Sequence, residues 1–301
     1  MSLAPDPVSH HPPFPATDDE DAWHRWRDWK LSRLPESVND LLVEIGNPLK
    51  PTRTECLALH DRLERWNMAV FACNPRVFDK EGLRAMAGHF GLRRLDSNWL
   101  ADDDGITSLR VRDGELRGEF IPYTNRAIRW HTDGYYNPMD RQIHALLLYC
   151  ESPAAHGGEN GLFDHELAWL YLREEAPELA NALAQRDVLT IPARHEDGRI
   201  ARRDITGPVF SISPSGRLHM RYTLRARNVI WKPDPEVQAA RERLETLLRS
   251  QPAGMVHGRL EAGMGLICRN VLHERAAFVN APGHERLLYR ARYHDEILEP
   301  A

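Results

Sequence analysis

The chain has 301 residues, 42% of them hydrophobic and 28% charged, which is ordinary for a soluble globular protein long enough to bury one large core. A formal net charge of -5 gives no electrostatic footprint for nucleic acid or for an anionic membrane surface. Cys56, Cys73, Cys150 and Cys268 stand far apart with no C-x-x-C pair, so neither a disulfide framework nor a thiolate zinc site is expected, and a reduced cytoplasm fits.

Residues 1–21, rich in Pro, Asp and His, read as a flexible N-terminal arm without the basic start and apolar core of a targeting signal. Residues 22–301 read as a single domain with a helical N-terminal part and helical insertions, and no stretch is apolar for long enough to span a bilayer. Trp23, Trp26 and Trp29 recur every third residue along one side of a helix that Pro35 ends, a packing stripe. A second helix is expected over 52–66, with Leu57, Leu59, Leu63 and Trp66 at helical spacing, followed by the strand "MAVFAC" and by a helix from Asp79 to its glycine stop at Gly91.

From here strands dominate. "GITSLRVRDGELRGEF" reads as short strands about a D-G turn at Asp113 and Gly114, and "QIHALLLYC" as a buried strand. "GGENGLFDHELAWLYLREE" is a glycine turn leading into a helix capped by Asp164, which Pro177 separates from "APELANALAQ". "VLTIPA", "VFSIS", "LHMRYT", "GLICRN" and "RLLYRARYH" are further strands, with a helix near 235–250 among them. Short strands with helices before and between them predict an α+β, mainly β fold: a jelly-roll (double-stranded β-helix) core flanked by α-helices.

The chemistry concentrates in "IRWHTDGYYNP". On a strand, residues two apart share a face, so His131 and Asp133 can converge on one ion, and Gly134 with Asn137-Pro138 ends the strand where a substrate has access. Alone, this pair is equally a polar strand end; a two-histidine, one-carboxylate iron site needs a second imidazole, and His273 in "NVLHERAAF" is placed for it after "GLICRN". In "RLLYRARYH", alternation puts Arg286, Arg290 and Arg292 on one face. If that face is solvent, nothing follows. If it lines the roll, each guanidinium needs an anion, and a dicarboxylate suits the planar fork.

"WHTDG", "GGENGLFD", "LHERAAF" and "ERLLYRARYHDE", in this order, resemble the taurine dioxygenase family of iron(II)- and 2-oxoglutarate-dependent oxygenases over roughly residues 60–296, and are most similar to its γ-butyrobetaine hydroxylase branch. The resemblance implies Fe(II) held by His131, Asp133 and His273, with Arg286 on the distal carboxylate of the cosubstrate 2-oxoglutarate. Asn160 stands where the family often has Thr or Ser as a second carboxylate partner. Arg290 matches the place where the taurine enzyme holds its substrate's sulfonate, with Arg292 and Arg221 as helpers, and Arg275 is either ligand contact or structural. Tyr135 and Tyr136 either pack in the core or meet the substrate, by cation–π attraction if that carries a quaternary ammonium. Asn98 and Trp99 lie in a loop over the site.

The implied activity is hydroxylation of an unactivated C–H bond of a small molecule, one with a carboxylate or other anionic group, using dioxygen and releasing succinate and carbon dioxide. The carboxylate at Asp133 favours hydroxylation over halogenation. Another mononuclear non-haem metal enzyme of the same fold, or a non-catalytic 2-oxoglutarate- or metal-binding module, are the alternatives. Homo-oligomers occur in the family, and no surface signature selects one.

Overall fold

The computed structural model describes residues 12, 14, 15, 19–97, 102–112, 120–196, 199–225 and 229–300, and among these seven α-helices and two larger sheets, with smaller ones beside them, organise the fold. The D-G turn at Asp113 and Gly114, as well as Asn98 and Trp99, lie outside the described residues.

Helix α1 spans Glu20–Leu31, with Asp19 accepting a hydrogen bond from the Ala22 amide at its N-terminus. It therefore starts inside the expected arm, and Phe14 packs edge-on against Trp26 and Trp169, because the apolar ring finds a partner in the tryptophan stripe. The one-turn α2 (Val38–Leu41) runs straight into a strand, Leu42–Glu44, too short to show any alternation in the sequence. Helix α3 (Arg53–Trp66) has a reciprocal capping box between Thr52 and Glu55, and α4 (Lys80–His89) is capped by Asp79. Helix α5 (His165–Glu175) is capped by Asp164, α6 (Pro177–Leu183) begins on Pro177, and α7 (Pro235–Arg249) follows the cap Asp234 with proline in its first turn. No helix of the described residues is long and apolar enough to cross a membrane, and all four cysteines are free.

The larger sheet has six strands in the order Leu42–Glu44, Met68–Ala72, Met264–Cys268, Ala145–Ser152, Leu287–Tyr293 and Thr107–Leu109. The smaller has four: Val256–Gly258, Asn160–Phe163, Leu272–Arg275 and Ile128–His131. Strands far apart in sequence are neighbours in both, the crossing pattern expected of wound antiparallel sheets.

Alternation along the central strand explains the layering. Leu146, Leu148 and Cys150 face inward and join Leu162 and Val256 of the smaller sheet in one buried cluster. Leu147 and Tyr149 point the other way, against Leu59 and Leu63 of α3 and Leu83 and Met86 of α4. Trp130, Phe163 and Leu272 on the outer face of the smaller sheet meet α1, α5 and α7, with Trp23 and Trp26 buried among them.

One buried charge cluster ties α1 to this layer. Lys30 Nζ lies 2.6 Å from Asp164 and 2.5 Å from Glu166, with no exposure of its side chain. Burial works against its charge, but the two carboxylates outweigh it and hold the amine above its usual range. Replacing Lys30 with Met leaves two carboxylates buried without their cation. We expect a loss of about 3–5 kcal/mol in the free energy of unfolding by denaturant.

Candidate active site

The site is built where the Ile128–His131 and Leu272–Arg275 strands run antiparallel, in a register that sets His131 directly opposite His273. Directly paired residues project to the same side, and the two rings stand 4.2 Å apart between centroids. Each Nδ1 lies 2.9 Å from the carbonyl two residues back, Arg129 and Val271 respectively. A carbonyl only accepts, so Nδ1 carries the hydrogen in both rings and each Nε2 presents its lone pair. Burial pushes the His131 imidazole down to about 3, with His273 adding to the effect, and burial lowers His273 as well. Both are neutral near pH 7, the form a metal requires.

The strand ends at His131, and Asp133 sits in the turn that follows rather than on the strand. Its convergence with His131 therefore comes from the turn's anchors and not from strand alternation. Thr132 donates its amide to Tyr222 O and accepts the Tyr222 amide on its hydroxyl, at 3.0 and 3.1 Å. Asn270 Oδ1 accepts the Asp133 amide at 2.8 Å, while its Nδ2 donates to the carbonyls of Asp133 and Ile143 at 2.9 and 2.7 Å. Gly134 (φ +66°) makes the bend, with no room for a side chain because a Cβ would stand 2.4 Å from Ile143.

One ligand atom from each of His131, Asp133 and His273 lies within 4.8 Å of the others. Asp133 Oδ1 is 4.0 Å from His131 Nε2 and accepts from Arg290 at 3.2 Å; Oδ2 is buried with no hydrogen-bond partner among the described residues. Burial alone would raise this carboxyl, but Arg290 and Arg292 outweigh it and hold it well below the usual range. Two neutral imidazoles and an ionised carboxylate with a spare oxygen fit a facial iron site that leaves other positions open.

The arginine face points inward: Leu288 belongs to the core between the sheets, and Arg290 and Arg292 pair with Leu148 and Leu146 of that same core. Arg286 lies beyond a register shift at Leu287 and Leu288. It is 5% exposed, stacks 5.1 Å from the Phe278 ring and has no carboxylate partner among the described residues; burial pushes its guanidinium down to about 10. Asn160 lines the same pocket, on the face it shares with His273 through the pairing of Arg275 with Asn160 and His273 with Leu162.

The other arginines have partners within the protein. Arg292 is already paired, with Asp96 at 2.5 Å and the Tyr136 hydroxyl at 2.9 Å, so its charge is met within the protein. Arg221 is 2% exposed and donates to the carbonyls of Pro208, Tyr135, Leu189 and Gly207, which occupies four of its five donors and clamps the backbone there. Arg275 likewise donates to Pro122, Thr124 and Arg126 carbonyls. Tyr135 and Tyr136 are half-buried, edge-to-face at 5.2 Å, and pack against the helical cluster. Asn98 lies outside the described residues.

Sequence reasoning missed Asn270 and Asp96. The one local signal for Asn270 is its residue type, since asparagine tolerates the left-handed backbone (φ 50°) found there; Asp96 becomes visible only when its strand partner places it over Arg292.

Taken together, the facing sheets and this ligand set define a mononuclear non-haem iron oxygenase. A family profile described as "Taurine catabolism dioxygenase TauD, TfdA family" matches residues 45–292, and the chain belongs to that family, as an oxidoreductase that uses iron and 2-oxoglutarate. A uridine-5'-phosphate dioxygenase from a Streptomyces species is 31% identical over 210 residues, 66% of this chain and 73% of the relative. One from an Amycolatopsis species is 32% identical over 171 residues, 54% of this chain and 60% of the relative. Among solved structures, an asparagine oxygenase bound to Fe(II), 3-hydroxyasparagine and succinate superposes with a TM-score of 0.58 at 14% identity, covering 91% of this chain and 81% of that one. A taurine dioxygenase from Burkholderia xenovorans gives 0.56 at 18% identity, over 86% and 88%.

Asn270→Ala removes three buried hydrogen bonds to backbone groups. We expect it to lower unfolding free energy by about 3 kcal/mol, measured by denaturant titration of the metal-free protein.

Proposed function

We propose that this protein is an Fe(II)- and 2-oxoglutarate-dependent dioxygenase that hydroxylates an unactivated C–H bond of a small anionic molecule, with its two sheets wound as a double-stranded β-helix around the metal. The convergence of three pre-oriented ligand atoms within 4.8 Å carries this reading. It is supported by Arg286, a buried guanidinium with no carboxylate partner among the described residues, lining a pocket with Asn160.

In this reading His131, Asp133 and His273 hold the iron, and Arg286, with Asn160 beside it, binds the distal carboxylate of 2-oxoglutarate. Bound iron and 2-oxoglutarate would activate dioxygen, with 2-oxoglutarate giving up two electrons as it is converted to succinate and carbon dioxide. The chain's own contribution is positional. The carbonyls of Arg129 and Val271 fix the two ring tautomers, Asn270 fixes the turn that carries Asp133, and the inter-sheet core keeps water from the reacting carbon.

Arg290 is proposed to meet the substrate's anion; in support, it stands beside Asp133, and its Nε is buried without a partner among the described residues. A phosphate matches that fork, and the two relatives named for uridine 5'-phosphate make a nucleoside 5'-phosphate the first compound to assay. Tyr135 and Tyr136, half-buried just after the ligand turn, are proposed to pack on the substrate.

Anaerobic addition of 2-oxoglutarate to the Fe(II)-loaded protein should produce a weak visible charge-transfer band, which His131→Ala and Asp133→Ala abolish. A wild-type protein that binds iron yet shows neither the band nor 2-oxoglutarate-dependent succinate release would overturn the proposal. Arg290→Ala should raise the KM of an anionic substrate about tenfold, the loss expected for one charge-assisted hydrogen bond, and an unchanged KM and turnover would remove Arg290 from the substrate site.

A further inference from the structure

The pocket beside Arg286 contains a second cation that the reading above does not use. Its lining carries two guanidinium groups, Arg259 and Arg286, and one amide, Asn160; the other residues are glycine, alanine, proline and leucine, and none is acidic. Arg259 follows the Val256–Gly258 strand, whose Gly258 pairs with Asn160, so the ladder itself brings Arg259 to the pocket. A Cβ on Gly158 would stand 3.6 Å from Arg286 Nε, so a side chain there would take up space that the glycine leaves open beneath the guanidinium.

Arg259 is shared with Glu261, at 3.0 Å from Nε and 3.4 Å from Nη2. That glutamate side chain is 56% exposed, against 27% for the arginine, so it is a hydrated partner at the rim and a weak competitor for a ligand inside. Two guanidiniums and this one carboxylate leave a single net positive charge, which one ligand carboxylate neutralises.

We infer that Arg259 is a second cationic contact for the distal carboxylate of the cosubstrate, alongside Arg286, and strengthens the hold on a dicarboxylate. This rests on the functional reading above and deepens it. Arg259 acts on binding and takes no part in the oxidation.

The test compares two ligands on Fe(II)-loaded protein without oxygen, using the visible band to obtain Kd. One is 2-oxoglutarate; the other is 2-oxopentanoate, which keeps the chelating end and lacks the distal carboxylate. Arg259→Gln should weaken 2-oxoglutarate about tenfold and leave 2-oxopentanoate within about twofold, as expected for loss of one charge-assisted contact. Arg259→Lys, which keeps the charge but not the fork, should fall between. Equal weakening of both ligands, the mark of a structural role, or wild-type affinity for both, overturns the inference while the functional reading stands. A wild-type protein with no affinity for 2-oxoglutarate overturns both.

Discussion

The antiparallel register between Ile128–His131 and Leu272–Arg275 is the constraint on which the rest depends. A slip of one residue would turn His131 away from His273, because strand side chains alternate with period two. The register is held on both sides: Asn160–Phe163 pairs with the His273 strand, and Leu224 donates its amide to the Trp130 carbonyl beyond His131. It is held from outside too, since Trp130, Phe163 and Leu272 are buried under the helices and a slipped strand would expose them. Layer packing and ligand geometry are thus one problem, solved by the same hydrogen-bonded ladder.

Charge is arranged along the interior with equal economy. Arg221 and Arg275 are buried and donate to backbone carbonyls, which clamps the loops that carry them. Arg292 is closed off by Asp96 and Tyr136. Arg290 leans on a carboxylate that the metal site also needs, and Arg286 has no carboxylate partner among the described residues. Position on the arginine face therefore does not decide function; the local supply of acceptors does. At Arg286 and Arg290 a bound anion would relieve the cost of burying charge.

Much of this was legible in the linear chain. The caps Asp79 and Asp164, and Pro177 with its fixed φ, announce their helices because a side chain two or three residues from the amide it satisfies acts locally. The alternation in "RLLYRARYH" announces one arginine face, and the resemblance of four short motifs names the ligand set and the cofactor pair. What no local rule supplies is pairing between distant segments. The sequence by itself determined which residues have the chemistry for an iron site and which stretches are helices. Only the tertiary structure decided that Asp133 reaches the site from a turn anchored by Asn270, that Arg221 donates to backbone carbonyls and Arg292 pairs with Asp96, and that Arg259 lines one pocket with Arg286. Each of those depends on contacts between separate segments of the chain, where neither periodicity nor propensity carries information.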